Sequence, residues 1–360
     1  MVSQTMKRLL RYLLRRHSGV LALGMSLGIF VGLLALIEGT CTFLLNRAAK
    51  QAPPPLEVAF HGLGSHDPVL GYRAQPNRES VQTLRRGETV IYETLYRTDA
   101  HRRRITPQTN TATRERFALF FGCSFTFGEG VADDETLPAQ FAALAPEHHA
   151  YNYGYGGHGP QHLYLQLTEM DVLSGVEESA GIVVYSLFRD QIMRAVGNMR
   201  LLSTWGPILP CVTLDRGQLH YRGSFEEAWP FRIRLYRLAS LSRTLEYFQL
   251  DWPPRLRRQD YDLAAHLFHA SARYLETQFD DVQLYVLNYP GADAIEELEA
   301  ALARLQAQGK RSSLRRPIVL LNYSELLDEV PEAVVVEYPD GHPTAYTHRR
   351  VTEALAEDIY

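Results

Sequence analysis

Serine is a weak nucleophile unless a positioned base takes its proton. Ser124 lies in Gly122-Cys123-Ser124-Phe125-Thr126-Phe127-Gly128, after the apolar run Phe117-Ala118-Leu119-Phe120-Phe121 and before a helical pattern. Glycines on both sides let the backbone turn sharply and let a substrate approach. A candidate base lies near the other end of the chain, where Asp340-Gly341-His342-Pro343 precedes a helical stretch from about Ala345 to Ile359. His342 can take the serine proton and return it to a leaving group. Asp340 can hold the imidazole in the right tautomer and stabilise its charged form. Acyl transfer also needs hydrogen-bond donors for the developing oxyanion. Backbone N–H groups of the glycine-rich Asn152-Tyr153-Gly154-Tyr155-Gly156-Gly157-His158-Gly159 can supply them.

Such residues act together only if rigid elements hold them. Phe117–Phe121, Ala150–Tyr153, Gly181–Leu187, Val282–Leu287 and Pro317–Leu321 are short apolar runs, the pattern of strands buried on both faces. Helical patterns separate or follow them over Asp134–Leu144, Pro160–Met170, Asp262–Gln278, Ala294–Gln308 and Ala345–Ile359. Strand alternating with helix predicts an α/β sheet with helices on both faces and a site at the carboxyl ends of its strands. Residues 197–260 fit this rhythm poorly, with Trp205, Trp229, Trp252 and several prolines. They are read as a cap inserted beside the site or as an elaborate surface loop. Residues 46–116 form a proline-rich linker and a small β-rich lead-in, with Glu88–Tyr96 strand-like.

Gly19 to Ile37 contains no charge. At about 1.5 Å per residue, a helix of that length nearly crosses a ~30 Å hydrocarbon core. Lys7, Arg8, Arg11, Arg15 and Arg16 precede it, and only Arg47 and Lys50 closely follow. The excess of positive charge predicts a cytoplasmic N-terminus (1–18), a signal anchor over 19–45 and an extracytoplasmic bulk. The sequence thus reads as a single-pass inner-membrane protein facing the periplasm; a cleaved signal peptide is the competing reading. Over 360 residues the formal net charge is -4, which argues against a nucleic-acid binder. Arginine clusters at Arg102-Arg103-Arg104 and at Arg255, Arg257 and Arg258, expected as solvated faces. Cys41, Cys123 and Cys211 are too few for a disulfide framework and are expected as free thiols. His148, His149, His158 and His162 lack the accompanying carboxylate or cysteine spacing of a zinc site.

The three chemical segments resemble those of the SGNH, or GDSL-type, hydrolase superfamily, over residues from about Phe117 to the C-terminus. The family's Gly-Asp-Ser-x-x-x-Gly corresponds to Gly122 through Gly128, with Cys123 in place of aspartate. Its Asp-x-x-His is shortened here to Asp340-x-His342, a spacing similar to that of SGNH-like polysaccharide O-acetyltransferases of the bacterial envelope. The resemblance implies a flavodoxin-like three-layer α/β/α fold, a Ser124-His342-Asp340 triad and an oxyanion hole using Ser124 and Gly157. It implies ester hydrolysis or acyl transfer on an envelope glycan or lipid, without metal or cofactor. Tyr155, His158 and Arg189 are the expected substrate contacts. Where the family places an oxyanion-donating asparagine, this chain has Asp190. An ionised carboxylate cannot donate and would repel an oxyanion. Asp190 turning away in favour of Arg189 or Gln191, a protonated Asp190, and a hole with two backbone donors are the three readings. A catalytically silent glycan-binding or scaffolding module is the alternative from another class.

Overall fold

The computed structural model describes residues 4–60, 62–308, 314–331 and 334–360. Helix α1 spans Gln4–Gln51 and contains the uncharged run. From Ala22 it is long and apolar enough to cross a membrane, and its side chains there are almost all exposed. Five strands follow: β1 (Leu56–Phe60), β2 (Gly64–Asp67), β3 (Gly71–Ala74), β4 (Glu79–Arg86) and β5 (Thr89–Arg97). They form an antiparallel β1-β4-β5 sheet and a β2-β3 hairpin.

The main sheet then begins. Its strands are β6 (Arg116–Phe121), β7 (His148–Asn152) and β8 (Ala180–Leu187), later joined by β11 and β12. Helices α2 (Ser124–Phe127) and α3 (Leu137–Leu144) lie between β6 and β7, and α4 (Pro160–Thr168) lies between β7 and β8. After β8 come α5 (Arg189–Val196), α6 (Met199–Leu202), the hairpin β9 (Pro210–Asp215) and β10 (Gln218–Ser224), α7 (Phe225–Ala228), α8 (Pro230–Ala239) and α9 (Arg243–Tyr247). The chain continues through α10 (Arg258–Gln278), β11 (Asp281–Asn288), α11 (Ile295–Gln308), β12 (Val319–Asn322) and α12 (Ala345–Ile359).

The five parallel strands run in the order β12-β11-β8-β6-β7. Numbered along the chain this is the 2-1-3-4-5 order of flavodoxin-like sheets, whose switch point lies between the first and third strands. Here that point lies between β6 and β8, so residues just beyond both strands meet there. Side chains alternate across a strand, and the core divides accordingly. Phe117, Leu119 and Phe121 pack in one layer with Phe268 and Leu275 of α10 and Leu298 of α11. Ala118 and Phe120 face the other layer, with Phe141 of α3 and Val351 and Leu355 of α12. The α/β/α fold class expected from the sequence is therefore the observed one.

Two expectations change. Arg237–Asp251, read within the segment taken as a cap or an elaborate surface loop, groups with α1 and its continuation to Pro53 in one compact unit, while Pro54–Tyr236 and Trp252–Tyr360 form the other. Arg103 and Arg104 are buried, not solvated. Arg103 pairs with Asp99 at 2.6 Å and lies over the Tyr151 ring. Arg104 pairs with Asp133 at 3.0 Å, and Arg255, Arg257 and Arg258 are exposed as expected.

Candidate active site

Ser124 is the first residue of α2, at the carboxyl end of β6. The first N–H groups of a helix have no intrahelical acceptor, so the backbone there presents donors to whatever lies before it. Cys123 caps this turn, its Sγ accepting from Phe125 N at 3.5 Å. Gly128 ends it with φ of 83°, and its N–H reaches the carbonyls of Ser124 and Phe125. Such a left-handed residue favours glycine.

Arg104 fixes the far side of the turn. Its guanidinium donates to the carbonyls of Phe127 at 2.7 Å, Gly128 at 2.5 Å and Val131 at 2.6 Å, and pairs with Asp133 at 3.0 Å. Asn152, at the end of β7, ties in the glycine-rich loop. Its Nδ2 donates to Thr126 O at 3.0 Å, and its Oδ1 accepts from Gly154 N at 3.0 Å. Gly157 has φ of 78°, and a methyl group there would collide with the Tyr72 hydroxyl and the Trp205 indole. Both backbone conformation and space restrict this position to glycine.

The segment before α12 brings His342 to the same turn. Its ring lies 5.9 Å from that of Phe125, edge-on. Nδ1 faces Asp340 Oδ2 at 3.1 Å, and Asp340 also receives the Tyr92 hydroxyl at 3.3 Å. The sequence reading missed the other neighbour: Nε2 faces Glu129 Oε2 at 3.4 Å. Glu129 follows the Ser124 turn directly, and its Oε1 accepts from Gln82 Nε2 at 2.7 Å. Its place one residue past Gly128 was the signal available. Among the described residues, the hydrogen-bond partner of Ser124 Oγ is the Cys123 thiol, at 3.8 Å. The serine–imidazole bond is not formed in this arrangement.

Burial pushes the His342 pKa down, but Asp340 and Glu129 outweigh it and hold it above the ordinary histidine value. Burial likewise pushes Asp340 up, and its contact with His342 more than reverses this, so its pKa lies below the usual aspartate value.

The third-block residues separate. Asp190 is exposed and lines a cleft of about 490 Å³ with Phe125, Phe188 and Tyr289. The stacked rings of Phe125 and Phe188, 4.7 Å apart, form an apolar platform there. Arg189 lies 3.6 Å from Asp293 on the same cleft. Gln191 is fully buried; its Oε1 accepts from Phe188 N at 3.2 Å, while Nε2 has no partner among the described residues. Arg194 donates to the His158 carbonyl at 3.2 Å and lies over the Phe188 ring. Tyr155 is partly buried, its ring edge-on to Phe127. The expectation of a substrate contact at His158 gives way. It is buried, its Nε2 meets Tyr72 O at 3.2 Å, and its ring stacks on His162. His158 therefore shapes the glycine-rich loop from within.

Cys41, Cys123 and Cys211 are free and buried. Among the described residues, no group of three or more histidine, cysteine or acidic side chains gathers as metal ligands would.

No family model matches the sequence, and neither does any curated protein. Among solved structures, the chain is similar to a member of the lipolytic protein G-D-S-L family from Veillonella parvula, at 10% identity and a TM-score of 0.38, covering 67% of this chain and 97% of that one. It is similar to an extracellular lipase from Streptomyces rimosus, at 12% identity and a TM-score of 0.37, covering 68% and 100%. It is also similar to an acetyl xylan esterase from the rumen bacterium Butyrivibrio proteoclasticus, at 9% identity and a TM-score of 0.39, covering 71% and 65%.

Proposed function

We propose that this chain is a membrane-anchored serine ester hydrolase or acyltransferase of the SGNH type, with Ser124 as its nucleophile. One observation carries the reading. The Asp340–His342 pair, more than two hundred residues away in sequence, lies against the turn that begins with Ser124, with the imidazole ring 5.9 Å from Phe125. In the proposed reaction Ser124 Oγ attacks the ester carbonyl carbon while its proton passes to His342 Nε2. The N–H groups of Ser124 and Gly157 receive the oxyanion. His342 then protonates the departing alkoxide, leaving an acyl-enzyme. Water completes hydrolysis, or a sugar hydroxyl completes transfer, with His342 taking the incoming proton. Asp340 orients the imidazole throughout. For Nε2 to serve Ser124, it must leave Glu129, so the present arrangement is read as a resting one. Gln191, buried and with no partner for its Nε2 among the described residues, is the better candidate for a third donor.

The apolar wall of Phe125 and Phe188 suits an acyl group or a sugar face, which supports an acylated glycan or lipid substrate. The uncharged run of α1 and the basic residues before it support an inner-membrane anchor with the domain in the periplasm.

A silent binding module is the second reading, favoured by Glu129 standing at Nε2 and by Asp190 in the third block. A fluorophosphonate probe separates the two. Wild-type protein labelled at Ser124, with no label on Ser124→Ala, is expected of the enzyme. Equal absence of label in both, over the pH range in which His342 is neutral, removes the esterase reading.

A further inference from the structure

The uncharged run of α1 ends at Glu38, and an ionised side chain in or near hydrocarbon is costly unless paired. Glu38 is paired by one short segment. Its Oε2 accepts from Ser242 Oγ at 3.0 Å, Thr244 N at 3.1 Å and Thr244 Oγ1 at 2.6 Å, and its Oε1 accepts from Arg243 N. The carboxylate of α1 thus holds the first turn of α9. The segment carrying α9 leaves most of its large apolar side chains exposed: Leu238, Leu241, Phe248 and Leu250 are 67%, 73%, 58% and 50% exposed. Apolar side chains of α1 are exposed to the same degree, Leu27 and Ile29 being 60% and 62%. Fifteen residues presenting that much apolar surface mark a site of interaction. Their attachment to the end of the uncharged run makes the surface continuous with that of the helix.

Resting on the reading of α1 as a membrane span, we propose that Arg237–Asp251 is a second membrane contact. It lies in the interfacial layer of the bilayer beside the outer end of the span, with Leu241 and Phe248 in the acyl boundary. Interfacial segments bury apolar side chains about 5–10 Å into that boundary and keep polar groups in the headgroups. Tyr247, packed edge-on against Phe248 at 5.1 Å, is an aromatic type enriched at that depth. The occupant is lipid because the same surface continues onto a helix whose own exposed face requires lipid.

The test uses the full chain in phospholipid vesicles. All three native cysteines are buried, so a fluorophore reports an introduced one: Leu241→Cys, Phe248→Cys or, within the span, Ile29→Cys. Lipids carrying a nitroxide near the headgroup are expected to quench the labels at 241 and 248 at least about twofold more than lipids carrying it at the chain end. Aqueous iodide should reach these labels poorly, and the label at 29 should show the opposite depth preference. Labels at 241 and 248 quenched by iodide and untouched by nitroxide lipids, with 29 still quenched deeply, overturn the inference and leave the span intact. Shielding from both quenchers also overturns it, since a protein surface or second copy then covers the segment. A label at 29 open to iodide removes the span itself and the inference with it.

Discussion

At the residue scale, the decisive contact is His342 between two carboxylates. A base must be neutral to accept a proton, yet Asp340 at Nδ1 and Glu129 at Nε2 both favour the charged ring. Burial works against them and is outweighed; Arg194 works in the same direction as burial. The acid limb of kcat/KM is therefore expected above histidine's ordinary 6.5. Glu129→Gln keeps the shape of the side chain and removes its charge. It should move that limb down by up to about one pH unit and speed labelling of Ser124 near neutral pH. A limb that stays in place shows that Glu129 is not coupled to the base. The same raised pKa makes the ionic contacts of His342 stabilising below 6.5, a contribution lost as the pH rises through the folded value. Asp340→Asn tests the other side of the ring. With the orienting charge gone, kcat should fall on the order of 10²–10⁴-fold, and labelling with it, with little change in KM. A KM effect alone would place Asp340 in substrate binding.

At the scale of elements, the turn that begins with Ser124 depends on a cation that its own sequence does not contain. Arg104 satisfies three carbonyls of the turn and shares Asp133 with Arg97, whose Nε lies 2.8 Å from the second carboxylate oxygen. Removing one partner of a buried pair costs about 3–5 kcal/mol, because the other is left uncompensated. Arg104→Ala should lower the stability measured by urea unfolding by about that amount. Arg104→Lys should recover only part of it, since one ammonium cannot reproduce the planar fork. A loss under about 1 kcal/mol for Arg104→Ala contradicts this account. The contrast shows what local pattern can carry. Strands such as β6 and β8 were legible because burial on both faces writes an unbroken apolar run. The start of α10 was placed four residues late, at Asp262, because the cap lies in polar residues. Asp260 accepts from Arg257 N at 2.7 Å, which starts the helix at Arg258. Arg104 and Gln82 were not legible, and Glu129 offered only its place one residue past Gly128. Each acts through a partner distant in sequence or through a register that side-chain type does not encode.

For the whole molecule, three fully buried histidines weaken the fold in acid. His158, His162 and His348 are fully buried, and burial pushes their pKa values down, to about 4 for His158 and about 3 for His348. His158 and His162 also stack at 4.1 Å, so charging either one disfavours charging the other. The unfolded chain takes up protons on all three near 6.5 and the folded chain does not. The unfolded state therefore binds more protons below 6.5, and stability falls as the pH falls. By one pH unit below the unfolded value, each such histidine costs on the order of 1 kcal/mol, and the three together a few kcal/mol. His342 has the opposite shift and offsets part of this loss, because its contribution grows on acidification through its folded value. The detergent-solubilised full chain should thus show a lower urea midpoint at pH 5.5 than at pH 7.5. His348→Gln removes one of the three uptake sites. Whatever its effect on absolute stability, it should reduce the difference between the two pH values by on the order of 1 kcal/mol. A midpoint unchanged by pH in the wild type, or a difference unchanged by His348→Gln, would mean that these rings are charged or hydrated in the folded protein.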